Sequence, residues 1–172
     1  MEKRWVIKDA DEDKVNSLQQ DLKVHPVVCK LLVQRGIYTY EAARKFFRPV
    51  LTDLYDPFLM KDMQKAIDRI NTAIANNERI LIYGDYDVDG TTSVALAYSF
   101  FYSIYKNIDY YIPDRYLEGY GISTKGIDHA KQTECSLVIA LDCGIKAVDK
   151  IAYANTLGVD FIICDHHIPG DE

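Results

Sequence analysis

Four short apolar segments that alternate with stretches of helical periodicity constrain the fold of this chain more than any other feature. The apolar segments cover residues 79–84, 108–113, 137–142 and 160–165, and the helical stretches cover 91–106, about 123–132 and 145–157. Short buried strands that alternate with helices are typical of βαβ units, in which the strands are parallel. The pattern therefore predicts an α/β domain with a mainly parallel sheet flanked by helices.

The N-terminal part of the chain is predicted to be mainly helical. In the segment TYEAARKFF, Thr39 is a candidate N-cap, and Pro49 ends the helix shortly after it. Residues 63–74 repeat apolar side chains at helical spacing, as expected for a helix with one buried face. We therefore divide the chain into a helical N-terminal lead-in, residues 1–78, and a sheet domain, residues 79–172.

Composition limits the classes of function. With 48% hydrophobic residues, the 172-residue chain has enough apolar side chains for a folded core. Its net charge of −6 argues against a broad basic surface for nucleic acid, but not against a site in which carboxylates hold cations. The four cysteines show no CxxC spacing, which indicates reduced thiols and a cytoplasmic protein. No apolar run reaches the roughly 20 residues of a membrane span, so we expect no membrane association.

Carboxylates and histidines follow three of the four predicted strands. In a sheet built with right-handed crossovers, the carboxyl ends of parallel strands share one edge, where ligands bind. The residues predicted at that edge are Asp85, Asp87 and Asp89 after the first strand, Asp142 at the end of the third, and Asp165, His166 and His167 at the end of the fourth. Carboxylates packed this closely repel one another unless a cation compensates them. The pattern therefore indicates a metal site.

Three other interpretations compete for the segment GDYDVDGTTS. A helix cap at Asp89, Thr91 or Thr92 would need one acid, not three. An EF-hand calcium loop would need Glu at its twelfth position, where the chain has Leu96. A haloacid-dehalogenase-type phosphatase would use Asp87 as the nucleophile and Asp89 as the acid/base, and it remains the alternative enzyme class.

A two-metal phosphodiesterase would use all of these residues. Carboxylates together with histidine suit Mn²⁺ or Mg²⁺. Two such ions, about 3.5–4 Å apart, activate water and stabilise both oxygens of an in-line displacement at phosphorus. A non-catalytic binding module that has kept the fold is the hypothesis from another class, and the intact set of acids argues against it.

The ordered motifs DYDVDGTTS, LDCG and CDHH resemble those of the DHH phosphoesterases. The form of the first motif and the segment IPDRYLEGYGIS, residues 112–123, are similar to the RecJ single-strand-specific exonucleases within that superfamily. The resemblance implies a fragment of a 5′→3′ single-stranded DNA exonuclease of DNA recombination and repair, with a two-metal site for Mn²⁺ or Mg²⁺. It also implies partners among DNA-repair proteins, such as a helicase or a single-strand-binding protein.

The family's site residues carry over to the matching positions of this sequence. The implied metal ligands are Asp85, Asp87, Asp89, Asp142 and His166, with an orienting role as the alternative for Asp85. The implied catalytic residues are Asp89, Asp142 and His167. Asp142 would bridge the metals, His167 would face the scissile phosphate, and Asp165 would orient the imidazoles.

Two residues of the segment 112–123 are candidates for substrate binding. Arg115 would contact a phosphate, which a guanidinium does with two parallel hydrogen bonds. Tyr120 would stack on a base, an interaction of about 1–3 kcal/mol. At Tyr83 the chain departs from the superfamily, because many relatives carry a histidine there, and the role of this tyrosine is open. The family also has a fourth motif with another aspartate, so we expect this chain to be a truncated, inactive or weakly active N-terminal piece of a longer exonuclease.

Overall fold

The computed structural model describes residues 4–170, and the chain divides into two compact units, Met1–Leu59 and Met60–Glu172. The first unit contains α1 (Glu12–Leu22), α2 (Pro26–Val33), α3 (Tyr40–Phe47) and two short 3-10 turns, Leu51–Asp53 and Pro57–Leu59. The second unit contains α4 (Met63–Ala75), β1 (Arg79–Gly84), α5 (Val88–Ile104), β2 (Ile108–Tyr111), α6 (Thr124–Gln132), β3 (Cys135–Leu141), α7 (Val148–Thr156) and β4 (Asp160–Cys164).

The first unit confirms the predicted helical N-terminal region. Its helices begin at residues whose side chains accept a backbone N–H of the first turn: Asp11, His25 and Thr39, of which Thr39 is the predicted cap. The helices bury one apolar cluster, formed by Val15, Leu18, Cys29, Leu32 and Ala43. Within residues 4–170, no helix combines the length and the apolar composition that crossing a membrane requires.

The second unit is built on a four-stranded sheet in the order β2-β1-β3-β4, and every neighbouring pair is parallel. This topology confirms the predicted α/β fold. The chain starts on β1 near the middle, adds β2 on one side, and then crosses to β3 and β4 on the other side. The carboxyl ends of β1 and β3 therefore flank the point where the strand order reverses, which is where ligands bind in open α/β sheets.

Alternate strand residues pack on opposite faces of the sheet. On one face, Ile80, Ile82, Leu137 and Ile139 pack with residues of α4 and α5, and on the other, Leu81, Tyr83, Val138 and Ala140 pack with residues of α6 and α7. The sheet is thus buried on both sides, as its near-continuous apolar strands predict. Helix α4 belongs to this unit. The boundary predicted from the sequence, after residue 78, places α4 in the N-terminal lead-in instead, and that boundary stays a prediction.

Helix α5 begins three residues earlier than predicted, at Val88 rather than at Thr91. Its N-cap is Asp87, whose Oδ1 accepts the backbone N–H of Gly90 at 2.9 Å. Asp89 lies in the first turn instead of capping the helix, so the caps predicted among Asp89, Thr91 and Thr92 are wrong. The earlier start matters for the site because it fixes two of the three motif aspartates on the first turn of a helix.

Candidate metal centre

Strand register brings the ends of β1, β3 and β4 level at one edge of the sheet. Gly84 pairs with Leu141, and Leu141 pairs with Cys164. The next residue of each strand is an aspartate: Asp85, Asp142 and Asp165. The three predicted clusters therefore meet at the carboxyl edge, one residue beyond the strands.

A cluster of one carboxylate and two imidazoles lies at this edge. Asp142, His166 and His167 each offer a ligand atom, and these atoms all lie within 4.8 Å of one another. His166 Nε2 is 3.1 Å from Asp142 Oδ1; the Asp142 side chain is 8% exposed, whereas that of His166 is 75% exposed. A buried carboxylate beside accessible imidazole nitrogens is a donor set that suits a divalent cation.

The negative charge of the site acts on Asp142. Burial, followed by the charge of Asp87, raises the pKa of Asp142 above its ordinary value, and the nearby histidines offset this only in part. Asp87 and Asp89 are exposed on the first turn of α5, which follows β1. The charge of each raises the pKa of Asp142, which follows the neighbouring strand β3. This excess of carboxylates is the electrostatic situation that a bound cation relieves.

Asp85 supplies a second indication of a cation site. Its side chain is fully buried, and its Oδ1 accepts the backbone N–H of Gly121 at 3.2 Å. Its Oδ2 is buried without a hydrogen-bond partner among the described residues. An unpartnered buried carboxylate oxygen is costly, and a cation would satisfy it. The residues present therefore fit a divalent metal, while the bond to Gly121 also fits the orienting role considered for Asp85.

Asp165 holds His167 rather than both imidazoles. Its Oδ1 accepts His167 Nδ1 at 2.6 Å and the His167 backbone N–H at 3.1 Å, and its Oδ2 accepts the N–H of Ile145 at 3.0 Å. Burial opposes ionisation of Asp165, but these hydrogen bonds outweigh it and lower its pKa. The same contact raises the pKa of His167. Because Nδ1 is bound by the carboxylate, Nε2 of His167 faces the site.

Aromatic rings connect the two predicted substrate-binding residues to the histidines. The hydroxyl of Tyr120 lies 3.3 Å from His167 Nε2. The ring of Tyr120 meets that of Tyr86 edge-on at 6.1 Å, and the guanidinium carbon of Arg115 lies 5.2 Å from the centre of the Tyr86 ring. Burial, followed by the charge of Asp85, raises the pKa of Tyr120 to about 12. Tyr86 was not among the predicted site residues, although an aromatic residue between two motif acids was the available signal.

Comparison with known proteins identifies the family. A model described as the DHH family, N-terminal domain, matches residues 79–172. The chain belongs to the DHH family. The single-stranded-DNA-specific exonuclease RecJ of Bacillus subtilis is 47% identical over 169 residues, which are 98% of this chain and 22% of that protein. The RecJ of Escherichia coli is 30% identical over 173 residues, 99% of this chain and 29% of that protein. These matches confirm the resemblance to RecJ.

Solved structures agree with this assignment. A RecJ exonuclease bound to manganese is 29% identical, with a TM-score of 0.61 over 66% of this chain and 29% of that chain. RecJ from Thermus thermophilus in complex with Mn²⁺ is 22% identical, with a TM-score of 0.69 over 94% of this chain and 22% of that chain, and supports the fold. This DHH-family chain thus spans 22% to 29% of the length of these relatives.

Tyr83, whose role the sequence left open, lies in the core instead of the metal site. Its ring is fully buried and stacks on that of Tyr111, with 5.5 Å between ring centres. Its hydroxyl donates to the carbonyl of Gly121 at 2.9 Å and accepts the N–H of Ser123 at 3.1 Å. Burial raises the pKa of Tyr83 to about 12, so the phenol stays neutral. Tyr83 therefore anchors the loop that carries Tyr120.

Replacing Asp165 tests whether it orients His167. In the full-length DHH-family protein, Asp165→Asn should lower kcat/KM about 10–100-fold, as outer-shell changes commonly do. Because Asp165 raises the pKa of His167, an NMR titration of the His167 ring should give a lower pKa in the variant. Asp160→Asn, at the other end of β4, is the matched control and should leave both quantities near wild type. An unchanged His167 titration in Asp165→Asn would contradict the assignment.

Proposed function

We propose that this chain supplies metal ligands and substrate contacts of a two-metal phosphodiesterase that degrades single-stranded DNA from its 5′ end. The observation that carries the proposal is the cluster of Asp142, His166 and His167 at the carboxyl edge of a DHH-family sheet, beside the point where the strand order reverses. The neighbouring carboxylates of Asp85 and Asp87 add negative charge that needs a cation. The RecJ relatives are named single-stranded-DNA-specific exonucleases, and structures of RecJ contain Mn²⁺ or Mg²⁺.

In this mechanism the acids divide into ligands and supports. Asp142 and His166, which already contact each other, hold ions together with the three motif aspartates Asp85, Asp87 and Asp89. Asp87 can cap α5 with one carboxylate oxygen and bind an ion with the other, since only Oδ1 is used by Gly90. When bound, Mn²⁺ or Mg²⁺ ions would activate water and stabilise the charge that develops on the phosphodiester.

His167 is the candidate contact with the scissile phosphate. Asp165 binds its Nδ1 and raises its pKa, so its Nε2 can present a proton to an anionic oxygen. Tyr120 and Arg115 extend the site along the substrate: the tyrosine as a surface for stacking a base, and the guanidinium as a phosphate ligand. Tyr86 supports both residues through its ring contacts.

Family membership rules out the haloacid-dehalogenase-type phosphatase, in which Asp87 would form a phospho-aspartyl intermediate. A non-catalytic module is the remaining alternative, and the complete set of predicted acids and histidines at the edge of the sheet speaks against it. By the same resemblance, we propose a cytoplasmic protein of DNA recombination and repair that works with a helicase or a single-strand-binding protein.

Two measurements on the full-length protein test the proposal. Calorimetric titration with Mn²⁺ should reveal two bound ions, and a 5′-labelled single-stranded oligonucleotide should be degraded much faster than the same sequence in a duplex. Mass spectrometry during turnover should find no phosphate on Asp87. Binding of Mn²⁺ without any hydrolysis of DNA would favour the non-catalytic module.

A further inference from the structure

We propose that Glu118 is a positioning residue that holds the segment bearing Arg115 and Tyr120 over the metal centre. The inference rests on the proposed function for its effect on catalysis, but the contacts that carry it are independent of any substrate. Glu118 is half-buried in the loop between β2 and α6. Within residues 4–170, its carboxylate accepts hydrogen bonds from Tyr111, Asp114 and Ser123 and from no residue of the metal centre, so its role would be indirect.

The carboxylate of Glu118 joins three parts of the unit. It accepts the Tyr111 hydroxyl at the end of β2, at 2.9 Å and 3.0 Å to its two oxygens. It also accepts the Ser123 hydroxyl at 2.5 Å and the backbone N–H of Asp114 at 2.9 Å. Ser123 is in turn the N-cap of α6, where its Oγ accepts the N–H of Gly126 at 2.8 Å. One side chain thereby fixes the loop to the strand before it and to the helix after it.

Asp114 and Glu118 also close a single helical turn between them. Asp114 Oδ1 accepts the backbone N–H groups of Tyr116 at 2.8 Å and Leu117 at 2.9 Å. The Asp114 carbonyl accepts the N–H of Glu118 at 2.9 Å, while the Glu118 carboxylate accepts the N–H of Asp114. This reciprocal arrangement works like a capping box and satisfies the backbone N–H groups at the start of the turn. Arg115 lies inside the turn, so its backbone position depends on both acids.

The residues that directly follow Glu118 in the chain contact the site. Tyr120 follows two positions later and reaches His167. Gly121 comes next and is bound from two directions, by the Asp85 carboxylate and by the Tyr83 hydroxyl. These contacts hold one end of the loop, and Glu118 holds the other. Without Glu118, the end of the loop that carries Arg115 would keep the contacts of Asp114 but lose its bonds to Tyr111 and Ser123.

The chemistry of the contacts requires an ionised carboxylate. All three donors point at Glu118, and a carboxylate offers acceptors at both oxygens. Burial opposes the charge, but hydrogen bonds from Ser123, Asp114 and Tyr111 outweigh it and lower the pKa of Glu118. An amide at this position would have one acceptor oxygen instead of two and could not accept from all three groups as the carboxylate does. A carboxylate without a structural role is not expected to accept hydrogen bonds from a strand, a loop and a helix cap at once.

The test compares Glu118→Ala and Glu118→Gln in the full-length protein with Glu134→Gln, a matched control. Glu134 is exposed and directly precedes β3 at the opposite edge of the sheet. Freeing two side chains that must then be ordered on binding should raise KM for single-stranded DNA about tenfold in Glu118→Ala. The value of kcat should change less than about threefold, and Mn²⁺ affinity should stay near wild type. Glu118→Gln should have a smaller effect in the same direction, and the control should have none.

A second readout does not need catalysis. Hydrogen exchange at the Tyr116 and Leu117 amides should accelerate in Glu118→Ala and not in the control. Tyr111→Phe, which removes one donor and keeps the ring, should cause a smaller increase in KM. Unchanged KM and exchange rates in Glu118→Ala would overturn the proposal. Losses of Mn²⁺ affinity and kcat as large as the rise in KM would also overturn it, because they would indicate a general structural role. If the unaltered protein does not degrade single strands, the proposed function fails, and the exchange rates still decide whether Glu118 holds the turn.

Discussion

Asp142→Asn in the full-length protein is expected to abolish hydrolysis of single-stranded DNA, with a loss of about a thousandfold or more in kcat. Asp142 is the buried carboxylate of the cluster with His166 and His167, so its replacement removes a charged oxygen that would hold the metal. The affinity of the variant for Mn²⁺ should fall as well. Turnover by gel assay and Mn²⁺ binding by calorimetry, measured on the same preparation, check both statements.

The same variant should fold as well as the wild type. Asn has the shape of Asp and tolerates the positive backbone φ of 61° at this position better than most residues. Burial and the charge of Asp87 raise the pKa of Asp142, so ionised Asp142 is destabilising when no cation is bound. With a chelator present, the melting temperature of Asp142→Asn should therefore equal or exceed that of the wild type. Asp149→Asn, exposed on α7, controls for the loss of one charge and should retain activity. Turnover by Asp142→Asn at high Mn²⁺ would contradict the two-metal assignment.

The location of the site could be predicted from the sequence because it depends on the strands being parallel and on little else. Parallel strands end at a common edge, so residues directly after β1, β3 and β4 had to meet once the four apolar segments were recognised as strands. Asp142 and His166 are brought together in this way. Their identity as candidate ligands followed from residue type, since carboxylates and imidazoles are the donors that divalent cations bind.

The contacts around the site could not be predicted, because they join residues far apart in sequence through side-chain direction. Asp85 meets Gly121, and the Tyr83 hydroxyl meets Ser123, across separations of 36 and 40 residues. No periodicity encodes such pairs. The start of α5 was missed for a local reason: the segment after β1 holds several aspartates and threonines that can cap a helix, and only the backbone geometry selects Asp87. Asp165 binds the imidazole of His167 and not that of His166. This choice depends on the turn after β4, which has no regular pattern.

Gly90→Ala is expected to destabilise the protein, although Gly→Ala inside a helix normally stabilises it by about 1 kcal/mol. A Cβ at Gly90 would lie 2.4 Å from the carbonyl oxygen of Asp85 and 2.7 Å from its backbone nitrogen. Both neighbours are backbone atoms and cannot rotate away. Overpacking of this kind costs about 1–3 kcal/mol, and for a chain of this size that lowers the melting temperature by roughly 2–12 °C. Differential scanning calorimetry of the metal-free protein measures the change.

The effect should extend to the metal centre because the two glycines that flank the aspartate motif let β1 and α5 approach closely. A Cβ at Gly84 would lie 2.3 Å from Val94 on α5, and one at Gly90 would displace Asp85 itself. Movement of Asp85 and of the first turn of α5 shifts three proposed ligands together, so Mn²⁺ affinity should fall about 10–100-fold. Gly170→Ala adds the same methyl group at a position where no atom of the described residues, its chain neighbours aside, lies within 4 Å, and it should change neither property. If Gly90→Ala instead raised the melting temperature as ordinary helix propensity predicts, the close contact between α5 and the Asp85 backbone would be wrong, and with it the reason why the motif keeps glycine at this position.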